Sequence, residues 1–442
     1  MADVETSTTW ANLLREMKGP LVEALRWKTV LLSEVKRDGN ARRWAGKQIT
    51  IPIILAPQQG TGTIGGQMLA GIGQTAPPSE IGTLNLPHNI DDTQANIKTA
   101  IVTHAVSFST QVIQQAKVDD TSWAQVLPTK MRMAEDAIGR FMNEEMCGGG
   151  PSAGDVGKLT DIASGTTGTL VITVPATANF YQLYPGRIVD IRTKATGVLT
   201  TGGASRKIAS VNRTTGAITF SSAGFGGDSG SSITFSTSEG IYVEGGGYWN
   251  AGGANQAQPS NNYGLQGLGS AVATTGIFEG IDKSSVSQWQ GTDASPGVAT
   301  DPGLSTFDRA ERLAAINSGT PPDFYLCDPA VIDKFSQGLT TSARWAGDAG
   351  TLETGWTGVR YRNKLLVPEF DMPASTAYGI SREDCALYTL DAGPDWDNQT
   401  GSMFQRFAAR TLPVEAWLVW MVQFGFTRCN SFVKVGNLNQ AP

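Results

Sequence analysis

Histidine is almost missing from this chain of 442 residues: His88 and His104 are the only two. Most zinc hydrolase sites, and the Ser/His and Cys/His nucleophile arrangements, therefore lack parts. Cysteine is sparse as well. Cys147, Cys327, Cys385 and Cys429 stand far apart with no CxxC pair, which argues against a zinc knuckle and a dense disulfide framework. Their apolar neighbours suit four buried thiols in a reducing compartment. Charge is thin: Asp, Glu, Lys and Arg make up 17% of the chain, against about 25% in ordinary soluble domains. Lys+Arg 34 against Asp+Glu 40 leaves a net charge of −6, which excludes strong polyanion binding, because that needs clustered positive charge. No stretch approaches the ~20 apolar residues of a membrane span. MADVETSTTWANLLREM has no basic start followed by an apolar run, so the chain reads as cytosolic and soluble, with no membrane partner.

What is abundant is glycine, at 52, with 21 prolines beside it, a composition of turns and extended segments more than of a helical bundle. Hydrophobic residues at 40% suffice for packed cores, and the length suits two to four domains. Residues 7 to 37 space Trp10, Leu13, Leu14, Met17, Leu21, Leu25, Val30 and Leu32 near helical period, broken by Gly19-Pro20, which predicts two short helices. From Gly46 the character changes. KQITIPIILAP reads as a strand, a glycine-rich tip follows, and NIDDTQANIKTAIVTHAVSFS reads as the returning strand of a long two-stranded arm. Between Lys47 and Lys98 only Glu80, Asp91 and Asp92 are charged, and few large apolar side chains are available for a private core. Ordering costs about 1–2 kcal/mol per residue, so such an arm needs a surface to lie on, and a neighbouring molecule is the expected one.

Asp119, Asp120, Thr121 and Ser122 are cap candidates for a long helix whose Leu127, Met131, Ala134, Ile138 and Phe141 share one face, and which Gly148 to Gly150 terminate. TLVITVPA, GRIVDIRT, RKIASVN, GAITFSS, SSITFST and GIYVEG then predict a small inserted β-barrel or sandwich over residues 155 to 245. Beyond a glycine- and asparagine-rich loop, Ser305 or Thr306 should cap a helix with Phe307, Ala310, Leu313, Ala314 and Ile316 on its apolar stripe. DFYLCD is a strand, and Asp328-Pro329 opens a second helix. GVRYRNKLLVPEF, CALYTL, FQRFAAR and EAWLVWMVQFGFTR read as closing strands, and the whole is α+β.

Several constellations fall short of chemistry. Gly60 to Gly65 match GxGxxG, but neither the preceding strand, the following helix nor the distal acid of a dinucleotide site is in place, so a flexible loop tip is the reading. Asp119-Asp120 and Glu144-Glu145 read as caps and solvated helix faces. Lys36-Arg37 and Arg42-Arg43 form a small basic cluster that suits a neighbour's acids, DNA or simply solvent. Tyr248-Trp249 is the kind of platform that stacks on sugars, but the secretion signal and acid pair of a carbohydrate-active enzyme are not identifiable. No catalytic, cofactor-binding or metal-ligating residue is expected.

The segment Gly276 to Gln290, GIFEGIDKSSVSQWQ, resembles a glycine, Ile-Asp-Arg-Ser/Thr, tryptophan pattern recurring in the major capsid proteins of tailed bacteriophages, with Lys283 where arginine is usual. Asp323 to Phe335 is similar to their axial-domain strand, Asp-Pro, helix element. Tyr361 to Tyr378, containing LLVPEFDMPASTAY, is similar to their strand, proline-acid, turn, tyrosine pattern. The bland readings stand beside these: Asp328-Pro329 is a generic helix start, and Trp289 a core aromatic. The order of parts implies the Hong Kong 97-type capsid fold. Its expected divisions are an N-terminal arm (1–46), an extended two-stranded loop (47–115) and a peripheral domain with a spine helix (116–154). An inserted all-β domain (155–245), a peripheral return (246–302), an axial domain (303–399) and C-terminal strands (400–442) follow.

The resemblance implies a non-enzymatic protein that self-assembles into pentamers and hexamers of an icosahedral shell around a double-stranded DNA genome. It would assemble in the host cytoplasm and reside in the virion. Some relatives cross-link subunits through a loop lysine. Here the loop tip has none, Lys47 and Lys98 lying at its roots, so a non-covalent shell is expected. With no long charged helical segment before residue 46, a separate scaffolding protein is expected, beside a portal and a decoration protein, with packaged DNA touched only weakly. An encapsulin-like compartment, which takes cargo peptides instead of a genome, is the alternative on the same fold.

Overall fold

The computed structural model describes residues 29–38, 48–56, 91–108, 120–148, 158–165, 170–175, 178–194, 199–200, 202–221, 236–244, 264–341, 349–351, 357–390, 393–398, 405–406 and 414–440. Several expectations lie outside them: the first N-terminal helix, the GxGxxG loop tip, Arg42-Arg43, Asp119, most of SSITFST, Tyr248-Trp249 and most of FQRFAAR.

The strand Val414–Phe426 organises the largest core. Ala100–Phe108 runs antiparallel along its first part and Cys385–Thr389 along its last, with Asp395–Trp396 and Gln405–Arg406 as short additional partners. Period-2 alternation sends Val102, Val106, Leu418, Trp420 and Val422 inward, where they join one apolar cluster with Ala134, Ile138, Met142 and Met146 of the 28-residue helix Asp120–Cys147. The opposite face carries Ile101 and Trp417, 58% and 36% exposed. Lys36–Asp38 adds to the same sheet in parallel with Ala386–Tyr388, directly after the short helix α1, Val30–Glu34. We call the long helix α2.

Gln48–Ala56 and Asp91–Lys98 pair antiparallel, as the alternating pattern suggests. Two features differ from expectation. The returning strand ends at Lys98 and a new one starts at Ala100, so the chain exchanges one partner for another, Val414–Phe426. The described part of the arm also has a surface on its own chain: Ile49, Ile51, Ala95 and Ile97 are buried in the main core, and Asn96 N–H donates to the Glu279 carbonyl at 2.7 Å. Alternation supplies the reason, since four small or β-branched side chains on one face suffice to seat a hairpin base. Further out, Ile54 is 65% exposed. Ile97→Val is therefore expected to cost about 0.5–1.5 kcal/mol and Ile54→Val almost nothing, which denaturant midpoints of the two variants will check.

Residues 158–243 form a seven-stranded antiparallel sheet in the order Lys158–Asp161, Glu239–Val243, Ile188–Thr193, Arg206–Asn212, Ala217–Phe220, Val171–Thr173, Ser164–Gly165. Its core, with Ile172, Val189, Ile191, Ile208, Ile218 and Ile241, is separate from the others. Lys158–Asp161 is a strand that the pattern did not announce.

A second seven-stranded sheet, of mixed direction, contains Phe324–Cys327 between Lys364–Pro368, which is parallel to it, and Ala377–Ile380, which is antiparallel. The helices Leu304–Ser318 and Pro329–Thr341 share its core through Phe307, Ala310, Ala314, Val331 and Phe335. Asp328 accepts the Ala330 N–H, so the Asp-Pro start behaves as its chemistry requires. The first helix begins one residue before the expected caps, with Gly303 at the N-cap, and Ile316 is 70% exposed because it lies off the buried stripe. GVRYRNKLLVPEF is two antiparallel strands, Thr357–Tyr361 and Lys364–Pro368, turned at Arg362, whose φ is +52°.

Candidate functional site

All four cysteines are buried, and none is in a disulfide. Among the described residues no group of three or more His, Cys, Asp and Glu side chains could hold a metal ion. The concentrated chemistry lies elsewhere, in a buried polar junction where four parts of the chain meet: α1, the end of α2, residues 179–187 of the β segment, and the Glu369–Met372 turn that follows the strand Lys364–Pro368.

Glu144 and Glu145, expected on a solvated face, are instead inside, because the last turns of α2 are covered on every side. Arg187 donates both guanidinium arms to Glu144, at 3.0 and 2.6 Å, and a third bond to the Gln182 carbonyl. Arg140 reaches the same carboxylate at 2.8 Å and donates to Tyr184 Oη, its guanidinium lying 4.8 Å from the tyrosine ring centre. Glu145 accepts the Leu265 N–H at 3.0 Å.

The opposite wall is the Pro368-Glu-Phe-Asp-Met turn. Glu369 Oε2 accepts the Val30 and Leu31 N–H groups at 2.8 and 3.0 Å, capping α1 from 339 positions away, where Thr29 makes no side-chain cap of its own. Asn143 ties the two walls together: its Oδ1 accepts the Leu32 N–H and its Nδ2 donates to Asp371 Oδ2 at 2.6 Å. Asn179 donates to the carbonyls of Phe370 and Met372, and Gln182 to that of Asp371. Burial first, then the Glu144 and Glu369 charges, push the Asp371 carboxyl up to about 8. Glu369 also shifts upward through burial, opposed by its backbone donors, and burial raises the Cys147 thiol beside them.

A second buried polar group sits where the arm base meets the body. Ile277–Phe278 and Ile281–Asp282 form a tight hairpin whose turn residues Glu279 and Gly280 both have positive φ. Glu279 Oε1 accepts the Phe426 N–H, and burial raises its carboxyl to about 8. Lys283 is buried and donates to the carbonyls of Ser270, Ala271 and Ala273, 4.8 Å from the Phe278 ring centre. A carbonyl cradle of this kind accommodates an ammonium, consistent with lysine in the place of arginine. Trp289 is a core aromatic, with its indole N–H on the Phe278 carbonyl.

The resembling segments thus supply both polar centres, but their partners were not readable: Glu144 as an acid to be buried, and Arg187 as its counter-ion 43 positions away, carry no local signal. These side chains bind and orient parts of the chain itself. Their arrangement fixes how segments meet.

No protein-family model and no curated protein matches the sequence. Among solved structures, a chain of the Cyanophage A-1(L) capsid asymmetric unit is similar over 98% of this chain and 100% of its own, at 12% identity and a TM-score of 0.54. A chain of Mycobacterium phage Bobi covers 99% of both at 10% identity and a TM-score of 0.44. An encapsulin complex from Synechococcus elongatus matches 34% of this chain and 54% of its own, at 14% identity and a TM-score of 0.27. The end-to-end match to the cyanophage chain shows the fold: a mixed α and β capsid fold, with several sheets and few helices.

Proposed function

We propose that the chain is the major capsid protein of a tailed bacteriophage, a structural subunit that assembles into pentamers and hexamers of an icosahedral shell around double-stranded DNA. The observation that carries this reading is the fold likeness to the cyanophage capsid chain along the full length of both. In this reading α2 is the spine of a peripheral domain, the 304–341 helices with their sheet form the axial domain, and the 158–243 sheet is an insertion that stabilises the shell. Scaffolding, portal and decoration proteins are its partners, packaged DNA is touched weakly, and the subunit performs no turnover. Assembly takes place in the host cytoplasm.

The outer face of the Val414–Phe426 sheet supports a self-associating role. Ile101 stands opposite Met421, and Thr103 and Ala105 opposite Val419 and Trp417, which makes a mostly apolar strip on a sheet whose other face is the core. Electron microscopy of the purified protein tests the reading. Uniform closed shells that take up DNA when portal and packaging components are supplied support it, and monomers that persist at high concentration with the scaffolding protein present overturn it. Ile101→Asp is expected to abolish shells while shifting the thermal midpoint of the isolated subunit by no more than a degree or two, since an exposed substitution changes stability by about 0.5 kcal/mol or less.

A further inference from the structure

The junction between α1 and the Glu369–Asp371 turn holds three carboxyl groups, Glu144, Glu369 and Asp371, against two guanidinium groups, Arg140 and Arg187. Both arginines are directed at Glu144. Glu369 is satisfied by three backbone N–H groups, those of Val30, Leu31 and Asp371. Asp371 is left with the Asn143 amide on Oδ2, and among the described residues Oδ1 has no hydrogen-bond partner. A buried carboxylate in that position, beside two other acids, has too little to offset its desolvation.

We propose that this junction is a proton-operated latch: the Asp371 carboxyl holds a proton while α1 is seated on its neighbours Glu369 and Asn143, and losing that proton unseats the N-terminal segment 30–38.

Among the described residues, the charged and titratable groups facing Asp371 are Glu369 on its own turn and Arg140, Glu144 and Cys147 on α2, with Arg187 and Tyr184 of the β segment bonded to Glu144 and Arg140 behind them. From α1 come only backbone N–H groups, because Glu34 is turned toward Arg382 at 2.6 Å. Of these elements α1 is the one free to yield. It has five residues, with Val30 and Leu31 in the core they share with α2, whereas α2 runs for 28 residues and the β segment has a core of its own. Its three bonds into the junction run to Glu369 and Asn143, the neighbours of Asp371.

The direction in pH follows from proton counting. Between the ordinary aspartate range and about 8, the folded chain holds a proton at Asp371 that the unfolded chain has lost, so the contribution of this group to stability declines as pH rises through that window. Water reaching Asp371 through a displaced α1 relieves the cost without unfolding the rest. The same subunit can then present its N-terminal segment in two arrangements. The latch goes beyond the capsid reading, and it is a property of a single chain.

Hydrogen-exchange mass spectrometry on the full-length protein tests it, with exchange times scaled for intrinsic base catalysis. Between about pH 6.5 and about pH 9.5, protection of the peptide covering 29–38 is expected to fall about tenfold or more relative to the peptide covering 130–148. In Asp371→Asn, which carries no titrating proton, the ratio is expected to stay within about twofold. An unchanged ratio in the wild type overturns the latch even if the variant fails to fold, and so does a variant that loses protection as the wild type does. Because the readout needs no shell, failed assembly leaves the latch standing, and a failed latch leaves the capsid reading standing.

Discussion

Replacing Arg187 with alanine is expected to destabilise the folded chain by about 3–5 kcal/mol, a large share of the about 5–15 kcal/mol that keeps an ordinary domain folded. The pair it breaks is buried on both sides, with two guanidinium bonds of 3.0 and 2.6 Å to Glu144. The attraction lost is the smaller part of the effect. The larger part is that Glu144 remains inside, near Asp371 and Glu369, with Arg140 as its only cation among the described residues. The Gln182 carbonyl loses its donor at the same time. One control separates charge from packing. Adding Glu144→Gln to the variant is expected to recover most of the loss, because the neutral amide no longer needs a cation. Urea unfolding of the four proteins in a double-mutant cycle measures the coupling. A loss below about 1 kcal/mol would mean that water or a rearranged Arg140 compensates the charge.

What could be read in advance follows from the range of the forces involved. The extent of α2, the strand 414–426, the Asp328 helix start and most strands of the 158–243 sheet depend on periodicity and caps, which act over a few residues. Contacts between distant segments leave no such trace. Lys36–Asp38 pairs with a strand some 350 positions on, and Glu369 caps a helix 339 positions back. Glu144-Glu145 differs from expectation for a related reason: on an exposed helix the same dipeptide would be ordinary, and the convergence of Arg140, Arg187 and Leu265 N–H makes its burial tolerable. The arm base erred in the opposite direction. Its Ile49, Ile51, Ala95 and Ile97 are too few for a private core, but they join a core already built by other elements. The turn at Arg362 was hidden because an arginine and an asparagine stood where a strand interior and a turn both tolerate polar residues.

Gly267→Ala is expected to prevent the chain from closing after the β segment, at a cost of about 3 kcal/mol or more. The backbone conformation is not the obstacle, since φ is −120° and any residue adopts it. The obstacle is space. A Cβ at this position would lie 2.2 Å from the Gly148 carbonyl oxygen and 2.7 Å from that of Glu145, both backbone atoms at the end of α2. Neither can step aside cheaply. Gly148 O accepts the Gly269 N–H, Gly148 N–H donates to Glu144 O, and Glu145 accepts Leu265 N–H through its side chain, so the returning segment is bonded to the helix end on both sides of Gly267. Relief by separation would break these bonds and expose Leu265 and Leu268, which are fully buried. It would also shift Glu144, and with it the arginines that hold the junction to α1. The expected result is a chain that is largely insoluble or protease-sensitive, with a midpoint shift larger than that of Gly297→Ala, where nothing lies within 4 Å of the added carbon. Equal behaviour of the two variants in a thermal melt and a limited-proteolysis series would show that the helix end and the returning segment are not in contact as described.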